Sequence, residues 1–209
     1  MKKIERESTT TKSPAVLQFT LCCAFATLLS AFLVFQIQPV ISKMILPWFG
    51  GGPAVWTSCM MFFQIMLLAG YAYAYSINRV FSLRVQVIVH MLLVAACLVF
   101  LPIIPGEDWK PEDGSQPTLR ILAVLLAHVG LPYLLLSATA PLLQAWYAAK
   151  LPGRIPYRLY ALSNAGSLFA LLSFPFLIEP LMGSSMQAYA WAAGFVAFAM
   201  CCAGMAVIL

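Results

Sequence analysis

The sequence predicts an all-α membrane protein built from six transmembrane helices. Of its 209 residues, 62% are hydrophobic and only 9% are charged, and the mean hydropathy is +0.90. In soluble globular domains about a quarter of the residues are charged. A helix needs roughly 20 predominantly apolar residues to cross a bilayer. Six stretches meet that length: residues 16–40, 54–77, 85–104, 119–147, 157–181 and 186–209.

These stretches and their loops define the domain organisation. Residues 1–14 are polar and rich in Ser and Thr, and we expect them to form a disordered cytoplasmic N-terminus. Residues 15–209 are predicted to form one six-helix transmembrane domain, which leaves no room for a soluble catalytic domain. The first apolar stretch is longer than the 7–15 residues of a signal peptide core, so we expect it to be retained as an anchor.

Most of the basic residues fall in alternate gaps between the six stretches. They precede the first, separate the second from the third, and separate the fourth from the fifth: Lys2, Lys3, Arg6, Lys12, Arg79, Arg84, Lys150, Arg154 and Arg158. Loops rich in Lys and Arg remain in the cytoplasm under the positive-inside rule. We therefore expect both termini to be cytoplasmic, and we interpret the net charge of +5 as a topology signal rather than a nucleic-acid-binding surface.

The sequence contains no pattern typical of a metal or catalytic centre. All six cysteines lie within predicted spans, without a CxxC pair, and this placement indicates packing residues rather than a disulfide or zinc framework. Paired carboxylates, a Ser/Lys arrangement and an HExxH motif are also missing from the sequence. We therefore predict no catalytic, cofactor-binding or metal-binding residues, and intramembrane catalysis is the weakest functional hypothesis.

Polar residues within the spans form stripes at helical spacing. In the second span a polar residue recurs every seven residues, at Thr57, Gln64, Tyr71 and Asn78. If such stripes face a common interior, they could line a path for a polar solute. The candidate pathway residues are Gln64, Tyr71, His128, Thr139 and Asn164. The alternative is that each polar group bonds to a neighbouring helix, as His128 alone would be expected to do.

Two opposite charges lie near the predicted outer ends of spans. Lys43 follows the first span and Glu179 ends the fifth, so the two could form an ion pair if these spans are neighbours. Alternatively, Lys43 extends to the membrane interface by itself. The intervening segment 43–53, with Pro47 and three glycines, predicts a tight turn or a shallow re-entrant elbow.

Small residues predict two helix contacts, because they allow close approach of helix backbones in lipid. The fifth span has small residues four apart, Ser163 with Ser167 and Gly166 with Ala170. The last span has a ridge of small residues that we expect to face another helix: Ala190, Ala193, Ala197, Cys201 and Gly204.

Three long motifs carry a family resemblance. Residues 35–75 read FQIQPVISKMILPWFGGGPAVWTSCMMFFQIMLLAGYAYAY, residues 137–147 read SATAPLLQAWY, and residues 157–180 read YRLYALSNAGSLFALLSFPFLIEP. In this order and spacing they resemble the membrane domain of the bacterial spermidine synthase-like membrane proteins, the fused major-facilitator/spermidine synthase family. The resemblance covers most of residues 30–190.

The resemblance implies a fold, a location and two functions. The fold would be a six-helix bundle resembling one half of a major-facilitator transporter, in the bacterial inner membrane. The first implied function is a membrane anchor or scaffold for a cytoplasmic aminopropyltransferase-like partner; the alternative is a transport or channel module for a small polar or cationic solute such as a polyamine. The expected partners are the lipid bilayer and either a second copy of the chain or a synthase-like protein, with no nucleic acid.

Overall fold

The computed structural model describes residues 14–111, 117–153 and 155–208. Within them, six helices are long and apolar enough to span a membrane, which confirms the predicted all-α, multi-pass architecture. The helices are α1 (Pro14–Ile45), α2 (Pro53–Val80), α3 (Leu83–Cys97), α4 (Pro117–Lys150), α5 (Tyr157–Leu181) and α6 (Ser184–Ile208). The N-terminal segment predicted to be disordered is residues 1–14. Residues 1–13 lie outside the described part of the chain, and Pro14 begins α1.

The third helix ends before its predicted end at residue 104. A 3₁₀ turn, Leu98–Phe100, follows α3, and the chain is irregular from Leu101 to Gly106. Pro102 and Pro105 explain the difference, because proline cannot donate a backbone hydrogen bond to a helix and disfavours helical backbone in the residue before it. The α-helix therefore ends earlier than the continuous apolar sequence predicts.

A compact turn joins α1 to α2. After a 3₁₀ turn at Leu46–Phe49, Gly50 and Gly51 adopt left-handed backbone with φ of +83° and +67°. Residues with a side chain rarely adopt this conformation, and Pro53 then begins α2 with a backbone angle suited to a first helical position. Of the two predicted alternatives, the structure has the tight turn.

Two helices contain a wider, π-helical turn. In α4 it spans Leu126–Gly130, just before Pro132, and in α5 it spans Phe174–Ile178, which includes Pro175. The neighbouring prolines account for both, because a proline ring cannot fit the normal hydrogen-bond ladder of an α-helix.

The helix α1 lies at the centre of the bundle, packed against α4, α5 and α6, while α2 packs mainly on α4. The approach of α5 to α1 is close, because a Cβ atom on Gly166 would collide with the carbonyl oxygen of Leu28. Gly166 and Ala170 are both buried. The predicted contact through small residues of the fifth span is therefore confirmed for this pair, while Ser163 and Ser167 are only half-buried.

The predicted contact through the small residues of the last span holds only in part: Cys201 Sγ lies 3.4 Å from the carbonyl of Cys22 on α1. Ala190, Ala193 and Gly204 are exposed, and the face of α6 that packs on the bundle instead carries larger side chains. It includes Trp191 and Phe195, which are buried and stack on each other with ring centroids 5.4 Å apart. The contact of α6 with the bundle is therefore made mainly by these aromatic side chains, and three of the five ridge residues stay on the outer surface.

Most of the basic residues collect at one end of the bundle. Lys150 Nζ donates to the backbone carbonyl of Ile208 at 3.0 Å, which places the end of α4 beside the end of α6. Arg84 and Ala206 line one cavity at this end, and the N-terminal parts of α1 and α5, including Arg158, line another of about 620 Å³. The loops with basic residues and both described chain ends are therefore on the same side; that this side is cytoplasmic remains a prediction.

Candidate functional site

The described residues contain two clusters of buried and partly buried polar side chains. One lies at the seam between α1, α5 and α6 and consists of Gln36, Lys43, Glu179 and Gln187; we call it the seam cluster. The other joins α2, α3 and α4, and we call it the His90 cluster. It consists of Tyr73, Gln86, His90, Thr139 and Trp146.

The seam cluster includes an ion pair between two helices. Lys43 Nζ on α1 donates to Glu179 Oε1 on α5, so the structure brings the two predicted partners together. Both side chains are partly exposed, 40% for Lys43 and 36% for Glu179. In water such a pair contributes at most ~1 kcal/mol. Its clearer role is to fix the carboxylate of Glu179 in an ionised, hydrogen-bonded state.

Gln187 extends this ion pair into the protein interior. Its Nε2 donates to the second carboxylate oxygen of Glu179 at 3.1 Å and to the carbonyl of Met182 at 2.8 Å. The side chain is 2% exposed. The first turn of α6 thereby holds the end of α5, and the charge of Glu179 is neutralised on one side by Lys43 and hydrogen-bonded on the other by Gln187.

Gln36 ties α1 to α5 at the same seam. It lies seven residues before Lys43, on the same face of α1. Its Nε2 donates to the carbonyl of Ala170 and to Ser173 Oγ, each at 2.9 Å. Trp191 of α6 donates its indole N–H to the carbonyl of Leu33 at 2.9 Å, so all three helices of the seam are joined by hydrogen bonds.

The His90 cluster is centred on an almost fully buried imidazole. Thr139 Oγ1 donates to the carbonyl of Leu135 at 2.7 Å and lies 3.4 Å from His90 Nε2. Because the threonine proton is already used, His90 Nε2–H is the donor to Thr139, and Nδ1 lies 3.4 Å from the hydroxyl of Tyr73. The His90 ring thus joins three helices.

The remaining pair of this cluster joins α3 to α4. Trp146 Nε1 donates to Gln86 Oε1 at 2.8 Å, and Gln86 Nε2 donates to the carbonyl of Phe81 at the same distance. Both polar groups of the Gln86 amide are therefore satisfied. The Trp146 ring also meets His90 edge-on, with ring centroids 5.9 Å apart.

The structure does not gather the five candidate pathway residues around one cavity of this chain. Thr139 belongs to the buried His90 cluster. Gln64 and Tyr71 on α2 and Asn164 on α5 are exposed on surfaces that the rest of the chain leaves uncovered. His128 is half-buried, and its Nδ1 lies 2.9 Å from the carbonyl of Val124 in its own helix. A shared path through these residues remains a prediction that needs a further protein chain to cover the exposed ones.

Several residues of the two clusters are not among the predicted site residues. Gln86 and His90 lie four apart in the third span, a spacing that places two polar groups on one helical face and could have identified them. Gln36 and Lys43, seven apart, give a similar signal. Gln187 and Trp146 give none, because single polar or aromatic residues are common near the ends of spans.

Within residues 14–111, 117–153 and 155–208, no group of three or more His, Cys, Asp or Glu side chains could hold a metal ion. The six cysteines are unpaired. The two clusters can therefore donate and accept hydrogen bonds, and the seam cluster adds one ion pair.

Comparisons with protein-family models, curated proteins and solved structures find no match to this chain.

Proposed function

We propose that this chain is a membrane anchor and scaffold for a cytoplasmic aminopropyltransferase-like partner in a bacterial inner membrane. The kind of partner comes from the resemblance of residues 35–75, 137–147 and 157–180 to the spermidine synthase-like membrane proteins. The role of anchor is supported by how the chain uses its buried polar groups, which is the observation that carries the proposal.

Those groups connect spans to one another. Trp146 bonds to Gln86 between α4 and α3, Gln36 bonds to Ala170 between α1 and α5, and Trp191 bonds to α1. Hydrogen bonds between spans hold a bundle in one arrangement. A bundle fixed in this way suits a platform that presents a constant surface, whereas a transport path needs polar groups that face a common space.

The end of the bundle that would meet the partner is basic. Arg79 and Arg84 flank the short connection from α2 to α3, and Lys150 and Arg158 flank the connection from α4 to α5. Under the positive-inside rule this end faces the cytoplasm. Its charge would attract an acidic surface of a soluble protein, in addition to anionic lipid headgroups.

Cell fractionation tests the anchor. Aminopropyltransferase activity would be measured in washed membranes and in the soluble fraction, from cells with and without the chain. We expect activity to sediment with membranes only when the chain is present. Arg84→Gln with Arg158→Gln should release it to the soluble fraction, whereas Lys110→Gln, at the opposite end, should not. Activity that stays soluble in both strains would remove the anchor function.

A second candidate function, transport of a small polar or cationic solute, is favoured by one observation. All four members of the α2 stripe are exposed: Thr57, Gln64, Tyr71 and Asn78. Polar side chains that face lipid are costly. A second copy of the chain placed on this face would convert the stripe into part of a shared, polar interior, as the homodimer expectation requires.

Uptake of a radiolabelled polyamine into proteoliposomes tests this candidate. If the stripe lines a path, Gln64→Leu should abolish uptake without changing the melting temperature. Gln18→Leu, an exposed glutamine near the start of α1, is the matched control and should transport normally. Absence of uptake by the parent chain, as monomer or dimer, would remove the transport function and leave the anchor.

A further inference from the structure

A cavity lies between α1, α4 and α5 at the basic end of the bundle, and we call it the basic-end cavity. Its volume is about 620 Å³, far more than the roughly 30 Å³ that one water molecule occupies. Its ten lining residues come from the first part of α1, the end of α4, the start of α5 and the connection before α5. Neither the seam cluster nor the His90 cluster contributes to it.

One part of the wall is basic. Arg158, the second residue of α5, lines the cavity and is exposed, and its guanidinium carries five N–H donors and no acceptor. Tyr147 and Tyr157 also line the cavity and bring a hydroxyl group each. Among the ten lining residues, all in the described part of the chain, none is Asp or Glu. The wall therefore has a positive charge that no carboxylate within it neutralises, and it suits an anion.

The other part of the wall is apolar and extends along the helices into the membrane. Leu21 and Ala24 of α1 line it, about 10 Å and about 15 Å from the start of that helix at 1.5 Å per residue. Leu162 continues the apolar wall on α5. Leu21 is 60% exposed, so this surface is accessible to an occupant. A matching occupant has an anionic group at the end of the bundle and an apolar body at greater depth.

These two requirements select one class of anion. A soluble anion such as inorganic phosphate would leave the apolar wall uncovered. A phospholipid can place its phosphate beside Arg158 and an acyl chain beside Leu21 and Leu162, and basic pockets between transmembrane helices are known to bind anionic headgroups. A zwitterionic lipid would add an ammonium group next to Arg158 without a carboxylate in the wall to receive it.

We propose that the basic-end cavity is a binding site for an anionic phospholipid of the adjacent leaflet. Arg158 binds the headgroup phosphate, and the apolar side chains of α1 and α5 contact an acyl chain. This inference does not depend on the proposed anchor function, since its test contains no partner protein and its failure would leave the anchor in place.

Photo-crosslinking of the full chain in liposomes tests the proposal at the cavity itself. The liposomes contain equal amounts of phosphatidylglycerol and phosphatidylcholine with the same acyl chains, and benzoylphenylalanine replaces Leu21. Mass spectrometry of the lipid adducts should show an excess of phosphatidylglycerol of about fivefold, the factor that one basic residue contributes near a membrane surface.

Met200 is the matched control position for the crosslinker. It is 64% exposed and lies about 12 Å from the end of α6, a depth similar to that of Leu21. Benzoylphenylalanine at this position should capture the two lipids equally. Equal capture at both positions would overturn the proposal.

Two variants and one competitor identify what holds the lipid. Arg158→Gln should remove the excess at the Leu21 position. Arg79→Gln removes the same charge at the same end, but that guanidinium is bonded to the Tyr75 hydroxyl at 2.6 Å, and the excess should persist. An excess that survives Arg158→Gln would contradict the proposal. Inorganic phosphate, added at constant ionic strength, should leave the excess unchanged; its loss would identify soluble phosphate as the occupant and overturn the lipid site.

Discussion

Trp146 donates its indole N–H to the side-chain oxygen of Gln86 at 2.8 Å, and both residues are buried. The bond connects α4 to α3. The side-chain nitrogen of the same glutamine donates a hydrogen bond to the carbonyl of Phe81, at the turn before α3. One side chain thus holds the start of α3 in place at the basic end of the bundle. Loss of this glutamine would affect two helices and the connection that precedes one of them.

The first prediction concerns this bond. Gln86→Leu should leave the Trp146 N–H buried without an acceptor. We expect a loss of stability between the ~0.6 kcal/mol typical of polar contacts between spans and the ~3 kcal/mol upper range for an unsatisfied buried group. Melting in detergent measures it. Gln64→Leu, which changes an exposed glutamine, is the control; equal melting temperatures for the two variants would show that the bond contributes nothing.

The second prediction concerns the closest approach of α5 to α1. Gly166→Ala adds a Cβ that meets the carbonyl oxygen of Leu28, and overpacking of this kind costs about 1–3 kcal/mol. Gly204→Ala is the matched control, because its added Cβ has nothing within 4 Å. We expect Gly166→Ala to melt well below the parent and Gly204→Ala to melt close to it. If neither variant lowered the melting temperature, α5 and α1 would lie further apart than the structure places them.

The third prediction follows from the face that α6 buries. Phe195 is fully buried, so Phe195→Ala should cost about 3 kcal/mol, the lower end of the range for this change, because lipid supplies no hydrophobic force between helices. Val196→Ala, at an exposed neighbour, should be nearly neutral in the same melting experiment. If instead Val196→Ala is the damaging change, α6 is rotated relative to its assigned face.

The sequence predicts the spans well and their packing less well, for a physical reason. Length and apolar content determine where a helix can cross a bilayer, and five of the six predicted spans match helices within a few residues. The buried face of a span is harder to predict, because lipid-facing and protein-facing residues are both apolar. The ridge of Ala190, Ala193 and Gly204 is an example, since α6 packs through Trp191 and Phe195 instead.

For polar residues too, the sequence predicts some roles, whereas others depend on how the helices pack. Lys43 and Glu179 could be selected from the sequence, because opposite charges at the same end of two spans are rare enough to indicate a pair. Gln36 and Gln187 could not be connected, because their common position in the seam depends on how α1, α5 and α6 meet. The stripe of Gln64 and Tyr71 follows from spacing alone, but spacing does not tell whether a stripe faces the interior of its own chain or a partner.

Cysteine labelling in intact cells tests most directly the central claim that the basic end of the bundle faces the cytoplasm, where a soluble partner could bind. Ser82→Cys lies between α2 and α3 at the basic end, and Glu107→Cys lies in the opposite loop. Because all six native cysteines lie within the helices, the parent chain provides the background. We predict that a membrane-impermeant maleimide labels Glu107→Cys and leaves Ser82→Cys unlabelled until the cells are lysed. Labelling of Ser82→Cys in intact cells, with Glu107→Cys protected, would contradict the account.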